Sequence, residues 1–148
     1  MELETAIDFA RTNQQSVLAT IRANGRPQLS SVLHSVDADG RIRLSITADR
    51  AKYHNLRRTP WAALHVSRDD FFAYVVVEGD VELSPVVTQE DDPVIDELLD
   101  HYRALRGPDL DWDVYRAAQV SERRVLVRLQ PDRAYGMLQM PPAPEEKV

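Results

Sequence analysis

Residues 16–32 read SVLATIRANGRPQLSSV: a β-rich run, the pair Asn24-Gly25, then a second run returning from Gln28. Asn-Gly between two apolar runs is the strongest short hairpin signal, since both residues tolerate the positive φ of a type I′ turn. Working outward, Leu3, Ala6, Ile7 and Ala10 share a helical face, so residues 2–14 are expected to open the chain as an amphipathic helix. Gln28 to Val36 extends the returning strand, and Asp37-Ala38-Asp39-Gly40 turns the chain again. Arg41 to Thr47 alternates, with Ile42, Leu44 and Ile46 inside and basic residues outside.

Asp49 is positioned to cap a short helix from Arg50 to Arg58, which Pro60 stops. Trp61 to Ser67 and Phe72 to Leu83 read as further strands, with Gly79 marking a bulge or bend. Asp92-Pro93 opens a helix with one apolar stripe (Val94, Ile95, Leu98, Leu99, Tyr102, Leu105), and Gly107-Pro108 ends it. A short helix over Trp112–Gln119 precedes a last strand, Arg124 to Leu129. Six antiparallel strands with short helices between them predict a mainly β fold, a small six-stranded barrel. The expected domain is 1–138, and the Pro-rich, charged stretch 139–148 is expected to be a disordered tail.

The chain has 148 residues, a formal net charge of −6 and no cysteine, which excludes disulfides, thiolate metal sites and thiol nucleophiles. Its charge is segregated. Residues 41–68 hold seven Arg or Lys against one acid, whereas 69–113 hold fourteen acids against two Arg. A positive site within a negative chain favours small anions over nucleic acid, because the surrounding field repels a long phosphate chain. No apolar run approaches a membrane span, and the N-terminus is acidic and amphipathic, so a soluble cytoplasmic protein is expected.

Reactive motifs are missing: there is no G-x-G-x-x-G, Walker loop, H-E-x-x-H or G-x-S-x-G, and the four histidines fall on four different elements. Each histidine reads as a solvated or hydrogen-bonded imidazole. Any redox activity would then come from a cofactor. The run SITADRAKYHNLRR (45–58) offers a place for one. Ser45 and Thr47, one strand period apart, put two hydroxyls on the same side. Arg50 and Lys52 follow at the start of a helix, where backbone N–H groups are free. A guanidinium fork, an ammonium and free donors suit a phosphate. Asn55 is placed to touch a neighbouring part of the ligand. The competing reading is a solvated basic helix, which at least one of Arg57 and Arg58 fits.

These segments, with FFAYVVVEG (71–79), DWDVYRAA (111–118) and RRVLVRLQPDRAYG (123–136), resemble the pyridoxine-5′-phosphate oxidase-like split β-barrels. Within them they resemble the flavin/deazaflavin oxidoreductases of the B group, which use coenzyme F420. The resemblance implies a homodimer with two cofactor sites at the subunit interface. It implies that the phosphate-bearing tail meets Ser45, Arg50, Ala51, Lys52 and Asn55. Arg57 or Arg58, further out, suits a long anionic tail of this kind. The ring is expected near Gln28 to Ser31, and Phe72, Ala73 and Tyr74 are expected to reach in from the other subunit. Core packing is the alternative for Phe72 and Tyr74. FMN is the alternative cofactor, and a non-catalytic F420 carrier the alternative function.

Overall fold

The computed structural model describes residues 1–138. Helix α1 (Leu3–Thr12) leads into strands β1 (Gln15–Ile21), β2 (Pro27–Leu33), β3 (Ser35–Val36) and β4 (Ile42–Thr47). Helix α2 (Ala51–Arg58), strands β5 (Trp61–Ser67) and β6 (Tyr74–Leu83), helices α3 (Val94–Arg106) and α4 (Trp112–Ser121), and strand β7 (Arg124–Met137) complete the chain. The expectation for 139–148 lies outside the described residues.

The strands form one antiparallel sheet in the order β2-β1-β5-β6-β7-β4-β3. Its two edge strands, β2 and β3, are separated in the chain by His34 alone. One residue spans only about 7 Å, so the sheet must curl until its edges meet at that corner. The result is the expected mainly β barrel with short helices, built among the described residues from seven strands and not six. The extra strand arises because Gln28–Val36 breaks at His34. That histidine is fully buried and clasps the seam: Nδ1 lies 2.8 Å from Ser16 Oγ and Nε2 2.9 Å from the Ala10 carbonyl.

Inside the barrel, Leu18, Leu64, Val75, Val77, Val125, Val127 and Leu129 join Ile42, Leu44 and Ile46 in one core. Helix α1 contributes Ala6 and Ala10 to it, and α2 contributes Leu56. A smaller apolar cluster forms outside the barrel, where Ile95, Leu98 and Leu99 of α3 cover Leu126. The acidic helix therefore roofs the outer side of β4 and β7, and its carboxylates hold arginines there: Glu97 binds Arg128 at 2.9 Å and Asp100 binds Arg43 at 3.0 Å.

Several local expectations change. At the first hairpin only Gly25 has positive φ (+83°), and Asn24 does not. Gly25 N donates to Arg22 O, and Arg22 N donates to Arg26 O. That is a three-residue loop with a glycine bulge instead of a type I′ turn. Asp37–Arg41 repeats the geometry with Gly40 at +82°. Arg43, expected outside, is only 4% exposed because α3 covers it. Asp49 does not cap α2; Arg50 holds that position without a side-chain bond.

Candidate cofactor site

Three of the seven cations in residues 41–68 are paired in the fold, all of them outside 45–58. Arg41 pairs with Asp37 at 2.9 Å, Arg43 with Asp100 at 3.0 Å and Arg68 with Asp70 at 2.9 Å. Among the described residues, Arg50 and Lys52 have no carboxylate within 4 Å. Lys52 is half-buried, and its pKa is held below the usual lysine value, first by burial and then by Arg50 and Arg124. Three cations thus converge where β4 ends and α2 begins. Arg124 is partly satisfied, by Glu122 at 2.9 Å.

A cleft lined by Thr47, Arg50, Arg123 and Arg124 together with the acids Asp49 and Glu122 opens at this corner. Three arginines outnumber the two carboxylates there, and Lys52 adjoins Arg50 and Arg124, so the residues present fit a phosphate. Asp49 stands in the same cleft. The Thr47 hydroxyl bonds to its carboxylate, and this is the main reason the Asp49 carboxyl sits below its usual pKa.

The other expected tail residues are placed more variously. Ser45 shares a strand face with Thr47, as their spacing requires, but α3 covers it. Its Oγ lies 2.6 Å from the Tyr102 hydroxyl, which donates onward to Gln119 at 3.2 Å. Ala51 opens α2 and is exposed. Asn55 is 5% exposed, and its amide donates to Thr20 at 3.2 Å and Gln28 at 2.7 Å. Its carbonyl oxygen accepts from Arg58 at 3.5 Å. Asn55 thereby ties α2 to β1 and β2. Arg57 and Arg58 are both exposed.

Gln28 and Ser31, expected together near the ring, point to opposite faces of β2. An odd separation along a strand guarantees this. Gln28 turns inward toward Asn55. Ser31 turns outward, into a cross-strand row with Val17, His65, Val76 and Tyr135. A second cleft of about 460 Å³ lies on this outer face, lined by Ser31, Leu33, His65, Ser67 and Phe71 among others. The Tyr74 ring stacks on His65 with centroids 5.1 Å apart and planes at 13°.

Of the three residues expected to cross to a second subunit, Ala73 is buried, Tyr74 half-buried and Phe72 38% exposed. Phe71 is more exposed than any of them, at 79%, and has a φ of +66°. A small hydrogen-bonded loop holds it: Phe71 N donates to Arg68 O, Arg68 N to Ala73 O, and Phe72 N to Asp70 Oδ1.

Arg124, His65 and Phe71 were not among the expected site residues. Arg124 lies 72 residues beyond Lys52 and faces Thr47 only through the β4–β7 register. His65 gives no local signal, since its neighbours Ser31 and Tyr74 come from other strands. Phe71 belongs to one of the segments that carry the family resemblance, but nothing in the sequence marks it above Phe72. Among the described residues no group of three His, Asp or Glu could hold a metal ion, and no helix is long and apolar enough to cross a membrane.

Solved structures share this fold. A conserved hypothetical protein, Rv2991 of Mycobacterium tuberculosis, is 25% identical with a TM-score of 0.72, covering all of this chain and 92% of that one. An F420 reductase is also 25% identical, with a TM-score of 0.66 over 86% of this chain and 94% of its own. The heme storage protein HutZ of Vibrio cholerae, at 18% identity and a TM-score of 0.68, covers 93% of this chain and 96% of its own, and shares the fold. Residues 3–138, nearly the entire described barrel and both clefts, match the pyridoxamine 5′-phosphate oxidase family, and the chain belongs to that family.

Proposed function

We propose that the protein is an F420-dependent oxidoreductase that reduces a conjugated small-molecule acceptor. The observation that carries this reading is the uncompensated pair Arg50 and Lys52 at the start of α2. The similarity to an F420 reductase supports it. F420 carries a phosphodiester followed by glutamates, so it presents anionic groups in series. Arg50 and Lys52 would hold the phosphate, and the exposed Arg57 and Arg58 further along α2 suit the tail. When bound, the deazaflavin supplies the hydride. The chain's own part is positioning and exclusion of water: Asn55 fixes α2 against β1 and β2, while Ser31, Phe72 and Tyr74 offer contacts for a ring.

A homodimer belongs to the same proposal. Leu29, Leu33, Phe71, Tyr135 and Met137 are 44–79% exposed, and all lie on or beside the outer face of β2-β1-β5-β6-β7. Exposed apolar area of this kind marks an interface in a protein that stays in solution. The reading places the reaction in the cytoplasm. Family membership gives FMN a claim as the alternative cofactor, and its single compact phosphate would engage Arg50 and Lys52 without the outer arginines. A cofactor carrier would bind F420 without turnover.

Titration of the purified protein with F420 and, separately, with FMN decides among these. Tight F420 binding with turnover of the reduced form against quinones or enones is expected. Tight binding of FMN without binding of F420 would overturn the proposal, and F420 binding without turnover on a broad acceptor panel would favour the carrier.

A further inference from the structure

We infer that Lys52 is a modification site: a small acyl phosphate, its phosphate seated among Arg50, Arg123 and Arg124, transfers its acyl group to the Lys52 amine and so closes the corner to the cofactor. The chemistry rests on the corner itself; its effect on the cofactor rests on the F420 reading.

The chain has sixteen arginines and two lysines, Lys52 and Lys147. Arginine is thus its ordinary positive charge, and a guanidinium stays protonated and cannot attack carbon. A lysine amine can, once it sheds its proton. Lys52 is half-buried beside Arg50 and Arg124. Among the described residues no carboxylate lies within 4 Å to hold its charge. Burial and the two neighbouring cations all favour the neutral amine, the form that attacks.

The adjoining cleft supplies an anchor for the reagent. Arg50, Arg123 and Arg124 line it, and Lys52 borders Arg50 without lining it. A compact phosphate can therefore sit on the arginines and leave the amine free for the carbonyl carbon attached to it. The two acids of the cleft are already engaged: Glu122 binds Arg124 at 2.9 Å, and Asp49 accepts from the Thr47 hydroxyl. Arg123 is held at a φ of +52°, a left-handed angle that favours glycine. Its N donates to Val120 O, and its carbonyl accepts from Ala48 N. Glycine would suit that backbone better; what arginine adds is a guanidinium at the cleft.

In the transfer, the amine nitrogen bonds to the acyl carbon and the carbon–oxygen bond to phosphate breaks. The electron pair leaves on the phosphate, which also takes the proton from nitrogen. The products are an amide and inorganic phosphate, with nothing oxidised or reduced. The leaving group is then the very group the arginines stabilise. That favours an acyl phosphate over a phosphorylated aldehyde, whose phosphate would stay attached. The amide carries no charge, so a cofactor phosphate loses one of its cations.

Acetyl phosphate is the probe, with the full chain as purified and peptide mass spectrometry as the readout. Lys52 should acetylate several times faster than Lys147, and inorganic phosphate should protect Lys52 alone. Arg123→Gly removes the guanidinium and keeps a backbone angle that glycine adopts freely. It should slow Lys52 acetylation roughly three- to tenfold, the range for one charge-assisted contact near the surface. N-Acetylimidazole, which carries no phosphate, should acetylate Lys52 at the same rate in parent and variant. Equal rates at Lys52 and Lys147, or a Lys52 rate unchanged by inorganic phosphate or by Arg123→Gly, overturns the inference. So does an equal slowing with N-acetylimidazole, which would trace the effect to the amine and not to a phosphate seat. In Lys147→Arg, which leaves Lys52 as the chain's one lysine, full acetylation should weaken F420 binding at least about tenfold. Equal affinity before and after overturns the closing of the corner. If Lys52 acetylates selectively while the unmodified protein fails to bind F420, the modification stands and the cofactor reading falls.

Discussion

Lys52 shows what a single side chain contributes at the proposed phosphate corner. Its pKa is lowered chiefly by burial, with Arg50 and Arg124 adding repulsion. A bound anion would remove part of that repulsion and return the pKa upward. Binding should therefore draw in protons when the pH is near the depressed pKa, and affinity should fall as pH rises through it. Lys52→Ala and Arg50→Ala should each weaken F420 binding by about 1.5–3 kcal/mol, the range for a charge-assisted contact. Fluorescence titration of the cofactor checks this, and unchanged affinity in both variants would move the phosphate elsewhere. The corner was legible in the sequence because its residues lie within a single strand-to-helix step. Arg124, His65 and Phe71 were not: Arg124 and His65 acquire their neighbours through cross-strand register, and Phe71 stands out only by its backbone angle and exposure.

Among the elements, β7 departs furthest from its expected bounds. The alternating run RVLVRL suggests a strand ending at Leu129, yet pairing continues to Met137. The obstacle is Gln130-Pro131-Asp132-Arg133, a polar stretch with a proline that cannot donate to the ladder. The structure accommodates it with a bulge: Gly79 pairs with Pro131 and Glu78 with Arg133, leaving Asp132 as the extra residue. Gly79 was legible as a bulge from its place inside an apolar strand, but its partner was not. A Cβ at position 79 would fall far inside van der Waals contact of the Gln130 carbonyl oxygen, which is backbone and has little room to move. Gly79→Ala should accordingly destabilise the fold by about 3 kcal/mol or more, beyond ordinary overpacking, because a ladder must shift and not a rotamer. Urea denaturation measures it, and a loss under about 1 kcal/mol would mean that β6 and β7 slide apart easily.

At the scale of the whole molecule, the barrel is held closed where β2 becomes β3, and the groups there give stability a pH dependence of definite sign. His34 and His101 are buried neutral imidazoles. Burial holds the His34 imidazole below the ordinary histidine value of 6.5, and His101 is brought to about 3 by burial and then by Arg43. His34 joins α1 to β1, while His101 joins α3 to Ser35 on β3. Sequence could not assign them this role, because the seam exists only once seven strands are ordered and the edges brought together. For both groups the unfolded chain binds protons more readily than the folded one below pH 6.5, so stability is full above that value and declines as pH falls. The decline can reach about 1.4 kcal/mol per pH unit for each imidazole, continuing toward pH 3 for His101. Urea midpoints measured between about pH 7.5 and 5, a window that brackets the ordinary imidazole value, should stay level down to about pH 6.5 and fall below it. His101→Gln should be less stable at the upper end of that window, because the Ser35 contact is weakened, and should show a shallower fall with pH, because one of the two titrating groups is gone. A midpoint independent of pH across that window would show that neither imidazole is held neutral. The same slope in His101→Gln would place the pH sensitivity at His34 alone.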